Sequence, residues 1–169
     1  MKSLDLGCGP NPQNPFGAED LFGVDIAFAS KKNNVIIADL VLEKIPFPDN
    51  YFDFVTAIDF IEHIPRLIYV KKKRTQPFIN LMNEIWRVLK PDGIFLAYTP
   101  AYPMDEAFVD PTHINFISFN TVNYFCGNEY LELSKSYGFI GLYEKIRVEW
   151  SDKAKYHLIW ELKAKKIIL

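Results

Sequence analysis

The chain has 169 residues, of which 49% are apolar and 24% charged, and its net charge is −2. This length and composition fit one globular domain with its own core. The small net charge excludes overall electrostatic attraction to nucleic acid or to an anionic membrane. Two cysteines exclude a disulfide framework, and no apolar run is long enough to span a bilayer. We therefore expect a cytoplasmic protein with no signal segment and no membrane insertion.

The first stretch with a chemical pattern is residues 3–13, where apolar and polar residues alternate before two glycines. The alternation predicts a strand, and Gly7 and Gly9 predict a tight turn whose main chain can approach a ligand. A second short strand over residues 21–25 ends at Asp25. An acid at that strand end, close to twenty residues after a glycine-rich turn, is placed to accept both hydroxyls of a ribose. The pair predicts a cofactor that contains a nucleoside.

A dinucleotide is disfavoured, because its pyrophosphate needs a third glycine and a helix directly after the turn. Pro12 takes the place of that glycine, and no amphipathic run of helical length fits between Gln13 and Leu21. This argues against an NAD-dependent oxidoreductase. A cofactor that carries an adenosine and no phosphates fits the pattern better.

The glycine turn, DLGCG at 5–9, and three further patterns follow one another in a fixed order: IADL at 37–40, FPDNYFDFV at 47–55 continuing to EHI at 62–64, and EIWRVLKPDG at 84–93. Together they resemble the motifs of class I S-adenosylmethionine-dependent methyltransferases of the type 11 kind. The resemblance implies a single domain over residues 1–169. It also implies an α/β fold: a Rossmann-like, doubly wound sheet of about seven strands with an antiparallel C-terminal hairpin.

Relatives of this kind usually place helices ahead of the first strand, and we expect this chain to lack them. The site is then either open or covered by a partner, and a second copy of the chain is one candidate for that partner. The implied cofactor is S-adenosyl-L-methionine.

The resemblance also implies which residues bind the cofactor. The glycine turn would approach its methionine part, Asp5 would orient its amino group, and Asp39 would accept the adenine amino group. The alternative interpretation of Asp39 is a turn residue that caps its own backbone. The predicted cofactor-binding set is Asp5, Leu6, Gly7, Cys8, Gly9, Asp25, Ile26, Asp39, Leu40, Asp59 and Phe60.

The remaining periodicities predict the other elements. A helix with an apolar face at Phe78, Leu81, Met82, Ile85, Trp86 and Leu89 ends before Pro91. A second helix runs from Ser118 or Asn120 to Tyr137. Lys71–Arg74 is interpreted as a solvated loop or helix entry rather than a nucleic-acid contact. The further predicted strands are 35–37, 52–58, 94–98 and a closing hairpin of 139–150 with 156–166.

The acceptor side is predicted from the long connection of residues 99–113, because loops of this length are commonly functional. It ends in DPTH at 110–113, and related enzymes often carry a D-P-x-H element at this point. A histidine near the methyl group suits an acceptor that must lose a proton near neutral pH. We predict His113 and His63 as catalytic candidates, and Tyr102, Asp110 and His113 as acceptor contacts.

Alternatives remain open for the histidines and for the function. His63 can instead have a structural role, and His157 is interpreted as an ordinary surface or core histidine. No metal site is predicted, because the cysteines and histidines lack zinc-ligand spacing. The predicted reaction is methyl transfer to a small-molecule, glycan or lipid-type acceptor, with no nucleic-acid partner. The alternative is a non-catalytic module that binds S-adenosylmethionine or uses the fold as a scaffold.

Overall fold

The computed structural model describes residues 1–127, 130–151 and 156–166. Within them the strands are β1 Lys2–Leu6, β2 Asp20–Asp25, β3 Val35–Ile37, β4 Phe52–Ile58, β5 Ile68–Val70, β6 Lys73–Thr75, β7 Leu89–Pro100, β8 Tyr143–Trp150 and β9 His157–Ala164. The helices are α1 Pro77–Val88, α2 Glu106–Val109 and α3 Leu131–Ser136, with 3-10 turns at Ile61–His63 and Thr121–Tyr124.

Seven of these strands form one mixed sheet in the order β3-β2-β1-β4-β7-β9-β8. Neighbours from β3 to β7 pair in parallel, and β9 runs antiparallel to both β7 and β8. The chain starts at the centre, moves outward to β3, and returns to β4 beside β1. The order therefore reverses between β1 and β4, where open α/β sheets bind ligands beyond their carboxyl ends. The predicted Rossmann-like sheet with an antiparallel hairpin is confirmed.

The helix α1 forms with the predicted apolar face, since Phe78, Leu81, Met82 and Ile85 are buried. It begins at Pro77, a position where the missing N–H has no intrahelical partner in any case. Leu89 is already extended, with φ −67° and ψ 144°. Leu89 therefore opens β7 instead of closing the helix, and that strand starts before the predicted residue 94.

The predicted second helix from residue 118 to 137 is wrong as a continuous element. The structure instead has the 3-10 turn Thr121–Tyr124 and the short α3, and residues 128–129 lie outside the described ranges. The reason is tertiary: Cys126 forms a β-bridge with Tyr143, which also donates its N–H to the Phe125 carbonyl at 3.0 Å. Pairing with the sheet edge pulls this segment out of a helical path.

The basic run of residues 71–74 is exposed, as predicted. Its local structure was not predicted, because β5 and β6 pair as a small antiparallel hairpin. Lys71 and Lys72 form the tip of this hairpin, with φ of 48° and 66°.

The two faces of the main sheet are packed differently. Alternation along β1 puts Leu4 and Leu6 on one face, where they join a continuous apolar core with α1. Register places buried Leu96 on the other face, outside that core. There Phe16, from the segment after β1, stacks on Phe54 with ring centroids 4.2 Å apart. A proline-containing segment thus packs on the second face near the amino end of β4. None of the helices in the described ranges has the length and apolar character needed to cross a membrane.

Candidate active site

The glycine turn after β1 has the predicted backbone conformation. Gly7 and Gly9 have φ of +66° and +56°, and the Gly7 N–H donates to the Val24 carbonyl at 2.8 Å. Asp25 at the end of β2 fixes this turn, because its Oδ2 accepts from the Gly9 N–H at 2.9 Å. Its Oδ1 accepts from the Ala27 N–H at 2.8 Å. The Phe28 N–H also donates to Oδ1, at 3.2 Å, so this half-buried carboxylate, which lines the cleft described below, uses three of its about four acceptor sites on the main chain.

Two predicted cofactor residues in this turn point their side chains into the protein. Asp5 is 2% exposed and accepts hydrogen bonds from Thr56 Oγ1 at 2.6 Å and from the Gln13 N–H at 2.7 Å. Burial raises its pKa, although both hydrogen bonds act in the opposite direction. The Cys8 sulfur packs on Gly23, where a Cβ would overlap it. Burial, with a smaller effect of the nearby carboxylates, raises the pKa of Cys8 to about 12.

Beside the turn lies a cleft of about 320 Å³ at the carboxyl ends of β2 and β3, which we call the β2–β3 cleft. This volume is at the lower end of the range of ligand sites. Asp39 begins a turn there, and its Oδ1 accepts from the Val41 N–H at 3.0 Å. Six predicted site residues line the cleft: Asp25, Ile26, Asp39, Leu40, Phe60 and His63.

Phe60 connects the β2–β3 cleft to the glycine turn. A Cβ at Gly7 would lie only 2.9 Å from Phe60 Cγ and would overlap the ring edge. Gly7 is therefore required here both by its positive φ and by the aromatic ring. Leu6, also in the predicted set, is fully buried in the core, so it can offer a ligand only its main chain.

A second cleft, of about 540 Å³, lies across the carboxyl end of β4 from the β2–β3 cleft, and we call it the loop cleft. Asp110 and His113 line it, and their role as acceptor contacts stays a prediction. Tyr102 does not belong to its lining and is 61% exposed on a turn of the same loop. The cleft is lined by Pro100, Glu106, Val109, Asp110, Pro111, His113, Tyr156 and His157.

Sequence reasoning missed the position of His157. Its Nε2 lies 2.7 Å from Asp59 Oδ1, so the last strand contributes a histidine–carboxylate pair beside the loop cleft. Asp59 has φ of 48° and its side chain points to His157 rather than into the β2–β3 cleft. Alternation within a strand gave no signal for this pairing, because the two residues are far apart in sequence.

The two candidate catalytic histidines are in contact. The rings of His63 and His113 have centroids 4.8 Å apart and lie edge to face. The Glu62 carbonyl brings them together, because it accepts hydrogen bonds from the N–H groups of Ile114 at 3.0 Å and Asn115 at 2.9 Å. His63 lines the β2–β3 cleft and His113 lines the loop cleft. The histidine pair therefore forms a wall between the two clefts.

Comparison with known proteins agrees with this geometry. The profile of the family described as methyltransferase domain matches residues 4–97, which include the glycine turn and the strands that carry the β2–β3 cleft. The chain belongs to the class I S-adenosylmethionine-dependent methyltransferase family. The matched residues include those that line the β2–β3 cleft, whereas all eight lining residues of the loop cleft lie beyond them.

Curated relatives share part of this methyltransferase domain. A sterol 24-C-methyltransferase of Gibberella zeae is 34% identical over 128 residues, covering 63% of this chain and 30% of its own length. A sterol 4-C-methyltransferase of Caenorhabditis elegans is 36% identical over 113 residues, covering 56% of this chain and 30% of its own length. The matched part thus spans less than a third of each of these relatives.

A solved structure shows the same fold. It is a SAM-dependent methyltransferase from Archaeoglobus fulgidus with a TM-score of 0.60 at 17% identity, and the match covers 98% of this chain and 86% of that one. The agreement over nearly the whole chain includes the closing hairpin, which the family profile does not reach.

Proposed function

We propose that this domain transfers a methyl group from S-adenosyl-L-methionine to an acceptor bound in the loop cleft. The observation that carries the proposal is the shared wall of His63 and His113 between the two clefts. A donor in one cleft and an acceptor in the other would meet at this wall. Methyl transfer is an in-line displacement, so the acceptor atom must contact the methyl carbon directly, and the two reactants would have to meet at the edge of the histidine pair, where the clefts adjoin.

The residues around the β2–β3 cleft fit this cofactor. Asp25 keeps about one acceptor site for a ribose hydroxyl, and Asp39, which lines the same cleft, can accept the adenine amino group. Gly7 and Gly9 leave the main chain free of side chains where the methionine part would pass. When bound, S-adenosylmethionine supplies a methyl group on a sulfonium whose leaving group is a neutral thioether. The main tasks of the protein are therefore to align the two reactants and to exclude water, and activation of the leaving group matters less.

The histidine pair can take a proton from the acceptor. His113 Nδ1 lies 3.1 Å from the Glu106 carbonyl, which can only accept, so the ring donates from Nδ1 and keeps Nε2 free. Its Nε2 lies 3.9 Å from Asp110 Oδ2, which would stabilise the charged ring after proton uptake. Hydrogen bonds from Thr112 lower the pKa of Asp110 and keep it ionised for this role.

Among small-molecule, glycan and lipid-type acceptors, the rim of the loop cleft favours an apolar one. Val109 is 74% exposed and Phe108 is 49% exposed, and Phe108 stacks on the likewise exposed Phe116 with centroids 5.5 Å apart. Exposed apolar groups in one patch commonly mark a binding surface. The two sterol methyltransferase relatives point in the same direction. We therefore propose a lipid-type acceptor first, in a cytoplasmic setting that matches the free thiols of Cys8 and Cys126.

One observation favours the alternative of a non-catalytic module. The Phe60 ring lies against Gly7 and limits the main-chain approach that the glycine turn otherwise offers. If the ring does not move, the methionine part has less room, and the domain would serve as a scaffold. That a partner or a second copy of the chain covers the site also stays a proposal.

Calorimetry on the purified chain tests cofactor binding. S-adenosylhomocysteine should bind with a Kd in the micromolar range, about −8 kcal/mol. Asp25→Ala should weaken binding by about 1.5–3 kcal/mol, because hydrogen bonds to a charged group are lost. Asp20→Ala, at the exposed start of the same strand, is the matched control and should bind like the parent.

Two results would separate the alternatives. Binding of NAD without binding of S-adenosylhomocysteine would overturn the proposal. Binding of S-adenosylhomocysteine without release of that product from S-adenosylmethionine, against a panel of hydroxylated lipids, glycans and small molecules, would favour the non-catalytic module.

A further inference from the structure

Three potential metal ligands lie together where the two clefts meet. Glu62, His63 and His113 each offer one ligand atom, and these atoms lie within 4.8 Å of one another. We propose that this Glu62–His63–His113 cluster binds one divalent transition-metal cation of the zinc or cobalt type. The proposal concerns cation binding by the chain itself; in the metal-bound protein His113 Nε2 would be a ligand and could not also take the acceptor proton.

Glu62 carries the strongest argument. Glu62 is only 1% exposed, and its Oε2 accepts a hydrogen bond from the Thr99 hydroxyl at 2.9 Å. Its Oε1 is buried and has no hydrogen-bond partner among the described residues. A buried oxygen without a hydrogen-bond partner costs free energy, because it has lost its hydration and no hydrogen bond has replaced it. A cation between Oε1 and the histidines would satisfy it.

The hydrogen bonds of His63 prepare its ring for a cation. His63 Nδ1 lies 3.2 Å from the Thr112 carbonyl and 3.0 Å from Thr112 Oγ1. The hydroxyl donates its own proton to Asp110 Oδ1 at 2.6 Å, so it can only accept from the ring. Nδ1 must therefore be the protonated nitrogen, and Nε2 carries a free lone pair.

His113 has the same arrangement, since its Nδ1 faces the Glu106 carbonyl at 3.1 Å. Metal-binding histidines commonly donate their second ring N–H to a backbone carbonyl, which fixes both the tautomer and the ring direction. Two imidazoles held in this way within reach of one buried carboxylate are therefore set up as ligands.

The ligand types select the class of cation. Two imidazoles and one carboxylate suit zinc, cobalt or iron, whereas magnesium and calcium prefer oxygen ligands. Ligand bonds to zinc are about 2.0–2.2 Å, so a tetrahedral ion would draw the ligand atoms to about 3.4 Å from one another. Such closure needs only small rotations of two partly exposed imidazoles. Three protein ligands also leave an open position for a water or an oxygen atom of an acceptor.

The sequence could not reveal this cluster, and its prediction of no metal site rested on ligand spacing alone. Glu62 and His63 are adjacent, but His113 comes from a different loop. That loop reaches the turn through hydrogen bonds formed in the folded chain, among them those from Ile114 and Asn115 to the Glu62 carbonyl and that between His63 and Thr112. The thiols do not compete for the cation, because burial raises the pKa values of Cys8 and Cys126 to about 12.

The test is a titration of the untagged, chelator-treated chain with Co²⁺, followed by visible absorption, and with Zn²⁺, followed by calorimetry. We expect one equivalent of each ion, with a Kd in the micromolar range or below, and no comparable heat with Mg²⁺. His113→Ala and Glu62→Gln should each weaken Zn²⁺ binding by at least about 10-fold. Glu62→Gln can still accept from Thr99, which favours a folded variant.

His157→Ala is the matched control, because it removes the histidine outside the cluster and should bind Zn²⁺ like the parent. Circular dichroism and thermal melting establish that each variant is folded; if His113→Ala unfolds, His113→Gln takes its place. The absence of a stoichiometric Co²⁺ spectrum would overturn the proposal, and so would parent-like Zn²⁺ affinity in both cluster variants. None of these readouts involves S-adenosylhomocysteine, so they fail or succeed independently of the proposed methyl transfer.

Discussion

The two halves of the candidate site are built by different means. The cofactor half uses strand ends that are close in sequence, and its acids bind the protein's own main chain, as Asp25 binds Gly9 and Ala27. The acceptor half joins the turn Ile61–His63, the loop that follows β7 and the start of β9, through main-chain hydrogen bonds to the Glu62 carbonyl and through side-chain contacts. The comparison teaches that main-chain sites can be recognised from local motifs, whereas side-chain sites depend on how distant segments are brought together.

The largest expected effect concerns the Cys8 thiol in the cofactor half. Its pKa of about 12, against an ordinary 9.0, means that below pH 9 the thiolate is scarcer by about 10³-fold. We expect iodoacetamide to alkylate Cys8 in the folded Cys126→Ser variant about 10³-fold more slowly than in guanidinium. The alkylation rate of the folded protein should keep rising above pH 10, because the raised pKa means that the thiolate forms only at high pH. A native rate that levels off near pH 9 would show that the thiol is not packed on Gly23.

Gly7→Ala tests whether the glycine turn is held by the Phe60 ring. Alanine at φ +66° costs about 1–2 kcal/mol, and the overlap with the ring adds about 1–3 kcal/mol, so we expect a loss of about 3 kcal/mol in the free energy of unfolding. Gly17→Ala is the matched control, with φ of +62° and nothing within 4 Å of its Cβ position. Gly17→Ala should lose only the cost of alanine at a positive φ, about 1–2 kcal/mol. Equal losses in urea unfolding would mean that the ring does not constrain the turn.

His113→Ala tests the acceptor half. Turnover should fall by about 10²-fold if the imidazole takes the acceptor proton, while the Kd for S-adenosylhomocysteine stays unchanged. The measurement is product release with an acceptor found on the parent protein, combined with calorimetry. Tyr102→Phe is the control, because Tyr102 lies outside the loop cleft and should leave both quantities as they are. An unchanged turnover in His113→Ala would transfer the role to His63.

The smallest effect is expected for the hairpin tip. Replacing Lys71, Lys72, Lys73 and Arg74 by alanine should change the free energy of unfolding by no more than about 0.5 kcal/mol, since all four are exposed. Neither parent nor variant should bind duplex or single-stranded RNA tightly at moderate salt. Submicromolar, salt-dependent binding that this substitution removes would contradict the prediction.

Much of the cofactor half was predictable because its signals are local. Gly7, Asp25 and Asp39 stand at strand ends, and a parallel sheet brings such ends to one edge whatever the loops do. Their side-chain directions were not predictable. Asp5 was predicted to orient the cofactor's amino group, but it is buried against Thr56, and Asp59 turns to His157. Whether Asp25 and Asp39 bind the cofactor stays a prediction.

The sequence by itself indicated the position of the glycine turn and most strands of the main sheet, because alternating apolar residues and two glycines constrain the chain locally. Only the tertiary structure decided that residues 118–137 break into short pieces, since pairing of Cys126 with Tyr143 outweighs helical propensity. It also decided that His113 meets His63 and that Glu62 keeps one oxygen without a partner in the described residues. The contact of His113 with His63 joins residues fifty positions apart, so its energy depends on the folded chain and no local pattern encodes it.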